Sequence, residues 1–176
     1  MEIITVVDEK DNVVGKAEKI EVHRKGILHR AFSIFVFNSK KELLLQRRAL
    51  HKYHSPGLWS NTCCGHPRFG EKLTNAVHRR LKEEFGFDCK LKEIFSFHYR
   101  AEFDNGLIEN EIDHVFIGIA DVVPKPNKNE IAEWKWISLD DLKKDIAENP
   151  EKYTFWFRHI IEKYCNKLEK FLKANQ

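Results

Sequence analysis

Residues 65–86 read GHPRFGEKLTNAVHRRLKEEFG, and this segment contains an apolar pattern and a charged pattern that together predict its structure. Apolar side chains recur there at the spacing of one helical face, at Leu73, Ala76, Val77, Leu81 and Phe85. Gly86 follows the last of them, and glycine commonly ends a helix because it adopts left-handed backbone angles without strain. The spacing therefore predicts a helix over residues 73–85 with one buried side.

The charged residues of the same stretch follow a second pattern, G-x5-E-x7-R-x3-E-E-x-G. It comprises Gly65, Glu71, Arg79, Glu83, Glu84 and Gly86. This pattern resembles the Nudix box, in which one helix presents carboxylates to a divalent cation that holds a diphosphate. A solvated charged helix is the commoner meaning of such a run, but both glycines in place make the full pattern much more specific.

One position departs from the Nudix box. The box usually continues Arg-Glu, whereas this chain has Arg79 followed by Arg80. A carboxylate that the Nudix hydrolases use is therefore replaced by a cation, which shares a helical face with Glu84 four residues later. We expect a phosphate to be held here and not cleaved.

Composition and charge indicate which broad class of protein this chain belongs to. The 176 residues are 42% hydrophobic, which predicts one globular domain over residues 1–176. The net charge of +3 is spread along the chain, unlike the concentrated basic stripe of a nucleic-acid binder. No apolar run approaches about 18 residues, and the N-terminus lacks a signal-peptide pattern. Four cysteines without disulfide-like spacing favour a reducing, cytoplasmic location.

The rest of the chain predicts an α+β fold with many strands. Residues 138–141 read as the start of a helix, and another helix is expected over residues 153–172. Strands are predicted at residues 2–7, 31–37, 42–47, 58–62, 91–103, 112–123 and 132–137, with 31–37 and 42–47 forming a hairpin. With the Nudix resemblance, this order predicts a Nudix-like mixed β-sheet sandwich. It has the box helix at its centre and a helical segment at its C-terminus.

The segment Asn61-Thr62-Cys63-Cys64-Gly65-His66-Pro67 places a thiol two residues from an imidazole. A free cysteine is usually a small buried hydrophobic residue. A cysteine in a loop just ahead of a helix can instead have a perturbed pKa and react. The residues alone leave open whether Cys63 or Cys64 would act.

Histidines and carboxylates elsewhere could hold a metal. His23, His29 and His66 are expected in loops next to apolar strands, and Glu109 and Glu111 alternate, so they share one face of a strand. Three imidazoles and two carboxylates would suit Zn²⁺, Mn²⁺ or another divalent ion. Each residue alone is more often an ordinary polar side chain, as are the candidate phosphate-binding cations Lys19, Arg47, Arg48, Lys52 and Arg80.

Together these segments resemble the type I isopentenyl-diphosphate isomerase family, which has a Nudix fold. The resemblance covers about residues 19–156, and four stretches carry it: LHRAF at 28–32, LWSNTCCGHP at 58–67, YRA at 99–101 and ENE at 109–111. It implies conversion of isopentenyl diphosphate to dimethylallyl diphosphate by protonation and deprotonation through a tertiary carbocation.

The resemblance also implies roles for individual residues. Cys64 and Glu111 would be the catalytic acid/base groups, with Tyr99 assisting. Glu84 would bind Mg²⁺ together with the substrate diphosphate, and Trp156 would face the cationic carbon. A further divalent metal (Mn²⁺, Zn²⁺ or Mg²⁺) would be held by His23, His29, His66, Glu109 and Glu111, and the diphosphate by Lys19, Arg48, Lys52 and Arg80.

Two other functions remain open from the sequence. A Nudix hydrolase of a nucleoside diphosphate would need no Cys-Gly-His-Pro loop, and a non-catalytic Nudix-like binding module would need neither Cys64 nor Glu111. The expected partner in the favoured case is a small homoallylic or allylic diphosphate, with no nucleic acid or membrane. The expected state is a monomer or weak dimer.

Overall fold

The computed structural model describes residues 1–175, in which nine strands form one mixed sheet and four α-helices pack around it. A short 3₁₀ helix at Pro150–Lys152 joins the last two helices. The strands and helices are β1 (Ile3–Val7), β2 (Val13–Glu18), α1 (Lys19–Lys25), β3 (His29–Phe37), β4 (Glu42–Arg48), β5 (Trp59–Ser60), β6 (Cys63–Gly65), α2 (Leu73–Phe85), β7 (Lys92–Glu102), β8 (Ile108–Ile119), β9 (Ile131–Ser138), α3 (Leu139–Glu148) and α4 (Phe155–Ala174).

Strand β3 is the centre of the sheet. It pairs in parallel with β8 along its whole length, from His29 opposite Glu111 to Phe37 opposite Ile119. Its other edge pairs with β6, which places Cys64 opposite Ser33. Nearly every residue of β3 is buried, as expected for a strand covered on both faces. The strands that carry Cys64 and Glu111 therefore flank β3 on opposite sides.

The two faces of the sheet support separate hydrophobic clusters. Phe32, Ile34 and Val36 pack against α2 on one face, whereas Phe35 and Phe37 belong to the cluster on the other face. This alternation follows from the two-residue period of a strand. Helices α3 and α4 cover the second face through Leu142, Ile146, Phe157, Ile160, Ile161 and Leu168. The predicted α+β fold with a mixed sheet, the box helix and a C-terminal helical segment is confirmed, and the structure packs that segment on the core.

Helix α2 has the bounds that the apolar spacing predicts. It begins at Leu73 and ends at Phe85, and Gly86 follows with a left-handed φ of 69°. The Gly86 N–H donates to the carbonyl of Lys82, which closes the helix. This helix places the two adjacent glutamates in different surroundings, because Glu84 is buried whereas Glu83 is exposed.

Three predicted elements need correction. Strands β3 and β4 pair only at Phe37 and Leu43, because β8 and β6 occupy the edges of β3 and β4 pairs instead with β9. The strand predicted at residues 58–62 is only β5, Trp59–Ser60, and the cysteine segment after it, expected as a loop, contains β6 on a different partner. Finally, His23 lies on helix α1 and His29 is the first residue of strand β3, so neither lies in a loop as predicted. That helix has seven residues, too few for a periodic apolar signal.

Within residues 1–175, no helix combines the length and the apolar character that crossing a membrane requires.

Gly118, near the end of β8, is closely packed against the segment that precedes β7. A Cβ at this position would lie 2.5 Å from the carbonyl oxygen of Lys90 and 3.0 Å from Cys89 Sγ. We expect Gly118→Ala to lower the free energy of unfolding by about 1–3 kcal/mol, because backbone must move to admit the methyl group. Gly15→Ala is the matched strand control, since a Cβ there meets no atom within 4 Å. Equal urea-unfolding midpoints for the two variants would contradict this packing.

Candidate active site

The predicted site residues meet in one pocket at the end of the sheet where β3 and β8 begin. The pocket is lined by eleven of them, Lys19, Arg48, Lys52, Cys64, His66, Arg80, Glu84, Tyr99, Glu109, Glu111 and Trp156. His23 and His29 are fully buried next to it, with ring centroids 5.3 and 5.0 Å from that of His66. The fold therefore brings together residues that are up to 137 positions apart in the sequence.

Strand β8 supplies three acidic side chains to the pocket. Glu109, Glu111 and Asp113 alternate along the strand, so they share one face, and all three are buried. The Tyr99 hydroxyl, from the neighbouring strand β7, lies 3.0 Å from Glu109 Oε1 and 2.8 Å from Glu111 Oε1. A single phenol thus joins two carboxylates that were predicted from the Glu-Asn-Glu sequence.

Two buried histidines are oriented by backbone carbonyls. His23 Nδ1 lies 2.7 Å from the oxygen of Lys19, and His29 Nδ1 lies 2.8 Å from the oxygen of Ile27. Since a carbonyl only accepts a hydrogen bond, each Nδ1 carries the proton. The Nε2 atom of each ring is buried and has no hydrogen-bond partner among the described residues. This is the tautomer that offers a lone pair to a metal.

The free histidine nitrogens converge with Glu111. Glu111 Oε2 lies 3.5 Å from His29 Nε2 and 3.4 Å from His66 Nε2. Two ligands of one tetrahedral ion, each about 2.1 Å from it, are separated by roughly 3.4 Å. The ligand atoms of His23, His29 and His66 all lie within 4.8 Å of one another. The residues present therefore fit a divalent cation.

The two adjacent cysteines have different surroundings. Cys63 is fully buried in the apolar cluster under α2. Cys64 lines the pocket, and its Sγ lies 3.2 Å from Asn61 Oδ1 and accepts the indole N–H of Trp156 at 3.1 Å. The choice that the sequence left open thus falls on Cys64 as the thiol that a ligand can reach.

Cations surround the outer part of the pocket. Lys19 pairs with Glu2 at 3.3 Å and Lys52 with Glu130 at 2.6 Å. Arg80 pairs with Glu84 at 2.5 Å, and the other carboxylate oxygen of Glu84 accepts the Gln46 amide at 2.8 Å.

The neighbouring arginines of β4 point in different directions. Arg48 is buried in the pocket, where its Nε has no partner among residues 1–175. Arg47 instead donates to the carbonyl of Gly57 and pairs with Glu133 at 3.4 Å, outside the pocket. The pocket therefore has one candidate phosphate-binding arginine on this strand, Arg48.

Comparison with known proteins places this geometry in a family. A family model of the NUDIX domain matches residues 27–157. A protein of Photorhabdus laumondii named Isopentenyl-diphosphate Delta-isomerase 2 is 56% identical over 160 residues, which are 91% of this chain and 90% of that protein. The chain belongs to the isopentenyl-diphosphate Delta-isomerase family. A protein of the same name from Aromatoleum aromaticum is 53% identical, over 91% of this chain and 85% of that protein.

The fold of this chain is also similar to that of solved structures. A crystal structure of a Deinococcus radiodurans protein superposes with a TM-score of 0.77 over 92% of this chain and 98% of that one. The two are only 21% identical in sequence, so the likeness concerns the Nudix fold and not the isomerase pocket.

The two carboxylates that contact Tyr99 differ in protonation. Burial and the neighbouring Glu111 charge raise the pKa of Glu109 well above its usual value. Burial also acts to raise the pKa of Glu111, but the adjacent imidazoles of His29 and His66 outweigh it and hold that pKa well below the usual value. In the metal-free isomerase, Glu111 is thus the ionised member of the pair.

The thiol is held in its protonated form. Burial, followed by the nearby Asp113 carboxyl, raises the pKa of Cys64 to about 12. Asp113 accepts the Ser33 hydroxyl at 2.7 Å, and its own pKa is raised by burial and by the charge of Glu111. Burial therefore disfavours the charged form of both groups on this wall of the pocket.

Sequence reasoning missed several residues of this isomerase pocket. His54 is buried with its Nε2 3.6 Å from Glu109 Oε2, and it forms a second possible metal group with His23 and Glu109. No local pattern marks it, because it lies in the irregular segment between β4 and β5. Gln46 and Asp113 could have been found, since each is a polar residue two positions from a predicted site residue, Arg48 or Glu111, and so lies on the same face of its strand.

The buried histidines predict how stability depends on pH. Burial, with smaller charge effects, lowers the pKa of three histidines. The pKa of His23 falls below its ordinary value, that of His66 falls to about 4 and that of His54 falls to about 2. These values lie below the 6.5 of an unfolded chain, so the unfolded chain binds more protons below that pH.

We therefore expect the metal-free protein to lose stability as the pH falls from about 6.5 to 4. His54→Gln removes one of the buried titrating groups and should flatten this slope. Urea unfolding at a series of pH values measures it, and a slope as steep as that of the parent in His54→Gln would refute the contribution of His54.

Proposed function

We propose that this chain converts isopentenyl diphosphate to dimethylallyl diphosphate with Cys64 and Glu111 as its acid/base groups. One observation carries the proposal: a thiol and an ionised carboxylate, brought by strands on opposite sides of β3, line the same pocket. The curated relatives at 56% and 53% identity bear the name of this isomerase, which supports the same reaction here.

The reaction explains why two such groups are needed. Protonation of the unactivated double bond of isopentenyl diphosphate creates a tertiary carbocation at the neighbouring carbon. Loss of a proton from the adjacent carbon on the other side forms the new double bond. One group must deliver a proton and another must remove one, and Cys64 and Glu111 serve these two roles. Tyr99, 2.8 Å from Glu111, would assist proton movement at that carboxylate.

His23, His29, His66, Glu109 and Glu111 would hold a divalent cation, which can be Mn²⁺, Zn²⁺ or Mg²⁺. When bound, such a cation fixes the orientation of its carboxylate ligands and favours their ionised form. The proposal rests on the buried, unpartnered Nε2 atoms of His23 and His29 and on the short distances to Glu111. His54 is a further candidate donor on the Glu109 side.

The outer pocket would anchor the diphosphate. Lys19, Arg48, Lys52 and Arg80 supply positive charge, and the buried Glu84 would bind Mg²⁺ that accompanies the substrate. Binding of this kind holds the alkene between Cys64 and Glu111 without attacking phosphorus. The arginine at position 80, where a hydrolase carries a carboxylate, supports retention of the diphosphate.

Trp156 would stabilise the carbocation through the face of its indole ring, by about 2 kcal/mol in a desolvated pocket. Its ring already lies under a cation in this structure, since the Arg48 guanidinium carbon is 5.4 Å from the ring centroid.

We further propose that residues 1–176 act as a single isomerase domain in the cytoplasm, as a monomer or weak dimer, with no nucleic-acid or membrane partner. All four cysteines are free, which suits a reducing compartment.

Cys64→Ala should lower the rate of isomerisation by about 10²–10⁴-fold, the usual contribution of an acid/base group. Cys63→Ala is the matched control, because the adjacent thiol is buried away from the pocket. The assay incubates the protein with isopentenyl diphosphate and Mg²⁺ in D₂O and follows deuterium in substrate and product. Near-normal turnover in Cys64→Ala would exclude the thiol role, and release of phosphate would instead indicate a hydrolase.

Removal of divalent metal should abolish isomerisation and lower the melting temperature. The melting temperature falls because the chelated protein must keep three histidines and two carboxylates buried without an ion between them. Readdition of Mn²⁺, Zn²⁺ or Mg²⁺ singly, with bound metal measured by mass spectrometry, identifies the ion that restores both properties. Full activity in metal-free protein would rule out the histidine–glutamate site.

A further inference from the structure

Asn61 is a fully buried amide beside the Cys64 thiol, in the segment between β5 and β6. Its Nδ2 donates to the carbonyl oxygens of Ile34 at 3.1 Å and Cys63 at 2.9 Å. Because both of these partners only accept hydrogen bonds, the amide cannot be turned end for end without losing both. The position of Oδ1 is therefore fixed by the backbone of two strands.

Oδ1 of Asn61 faces a group of donors. The Ser60 hydroxyl lies 2.9 Å away, Cys64 Sγ 3.2 Å and Trp156 Nε1 3.3 Å. An amide oxygen only accepts, so in this contact the Cys64 thiol donates to Asn61. The indole N–H only donates, and it also points at Cys64 Sγ, 3.1 Å away. The Ser33 hydroxyl also faces the sulfur, but it lies 3.9 Å away, so Asn61 is the nearer acceptor for the thiol proton.

We propose that Asn61 is the positioning residue of the Cys64 thiol, holding its S–H in one direction before the substrate binds. The inference rests on the proposed acid/base role of Cys64. Asn61 does not line the pocket, so it would act through Cys64 and not on the substrate. Fixing the S–H in one direction keeps the sulfur in one orientation when the substrate arrives, and the orientation of a reacting group is a large part of the rate in such reactions.

Asn61→Ala removes the acceptor, and two measurements follow its effect. We expect kcat to fall about 10- to 100-fold with KM little changed, since misalignment of a reacting group has consequences of this size. The infrared S–H stretching band of Cys64, isolated by subtracting the spectrum of Cys64→Ala, should move to higher frequency, because hydrogen bonding weakens the S–H bond.

Thr62→Val is the matched control. Thr62 is buried one residue further on and makes two hydrogen bonds, from its hydroxyl to the carbonyl of Leu44 at 2.7 Å and from the Val36 N–H at 2.9 Å, without contacting Cys64. It should lose stability while the Cys64 band and kcat stay at parent values. A Cys64 band that shifts equally in both variants would mean that Asn61 acts only through general packing, which overturns the proposal.

Ser60→Ala provides a test if Asn61→Ala does not fold. It keeps Asn61 in place and removes one competing donor from Oδ1, so the Cys64 S–H bond to that oxygen should strengthen and its band should move to lower frequency. An unshifted band would refute the proposal. If Cys64→Ala itself retains turnover, the proposed function fails. If only Asn61→Ala retains the parent kcat and band position, the positioning role fails and the acid/base role of Cys64 stands.

Discussion

The parallel pairing of β3 with β8 is the interaction on which the rest of the molecule depends. It holds nine residues of each strand in one register, from His29 and Glu111 to Phe37 and Ile119. The apolar end of this pair supports both hydrophobic clusters, and its polar end places His29 beside the pocket and Glu111 and Asp113 in its lining. Core and site are thus two ends of the same pair of strands, and neither can change register without the other.

This arrangement buries charge that an apolar fold would exclude. Burial of a carboxylate is unfavourable unless hydrogen bonds or opposite charges compensate for lost water. Here Tyr99 contacts both Glu109 and Glu111, histidines face Glu111, and Ser33 donates to Asp113. Among the described residues, the buried Nε2 atoms of His23 and His29 are left without a hydrogen-bond partner. The histidine nitrogens and carboxylates of this pocket therefore fit a metal ion.

The parts of the structure that repeat a local period could be predicted from the sequence. Helix α2 followed from five apolar positions and Gly86, and the shared face of Glu109 and Glu111 followed from strand alternation. Helix α1 could not be found, because seven residues with two buried side chains carry no period. His54 could not be found either, since only the tertiary fold brings the irregular segment after β4 to Glu109.

The Arg80–Glu84 ion pair affects which ligands fit the pocket electrostatically. The pair satisfies both charges while the pocket is empty, and Gln46 holds the other oxygen of Glu84. A free anion that approached Arg80 would leave the buried Glu84 without its counter-ion. A metal–diphosphate complex brings both signs at once, its phosphate oxygens for Arg80 and its cation for Glu84. If Arg80 and Glu84 bind the ligand as proposed, this ion pair would favour an electrically matched complex over either component alone.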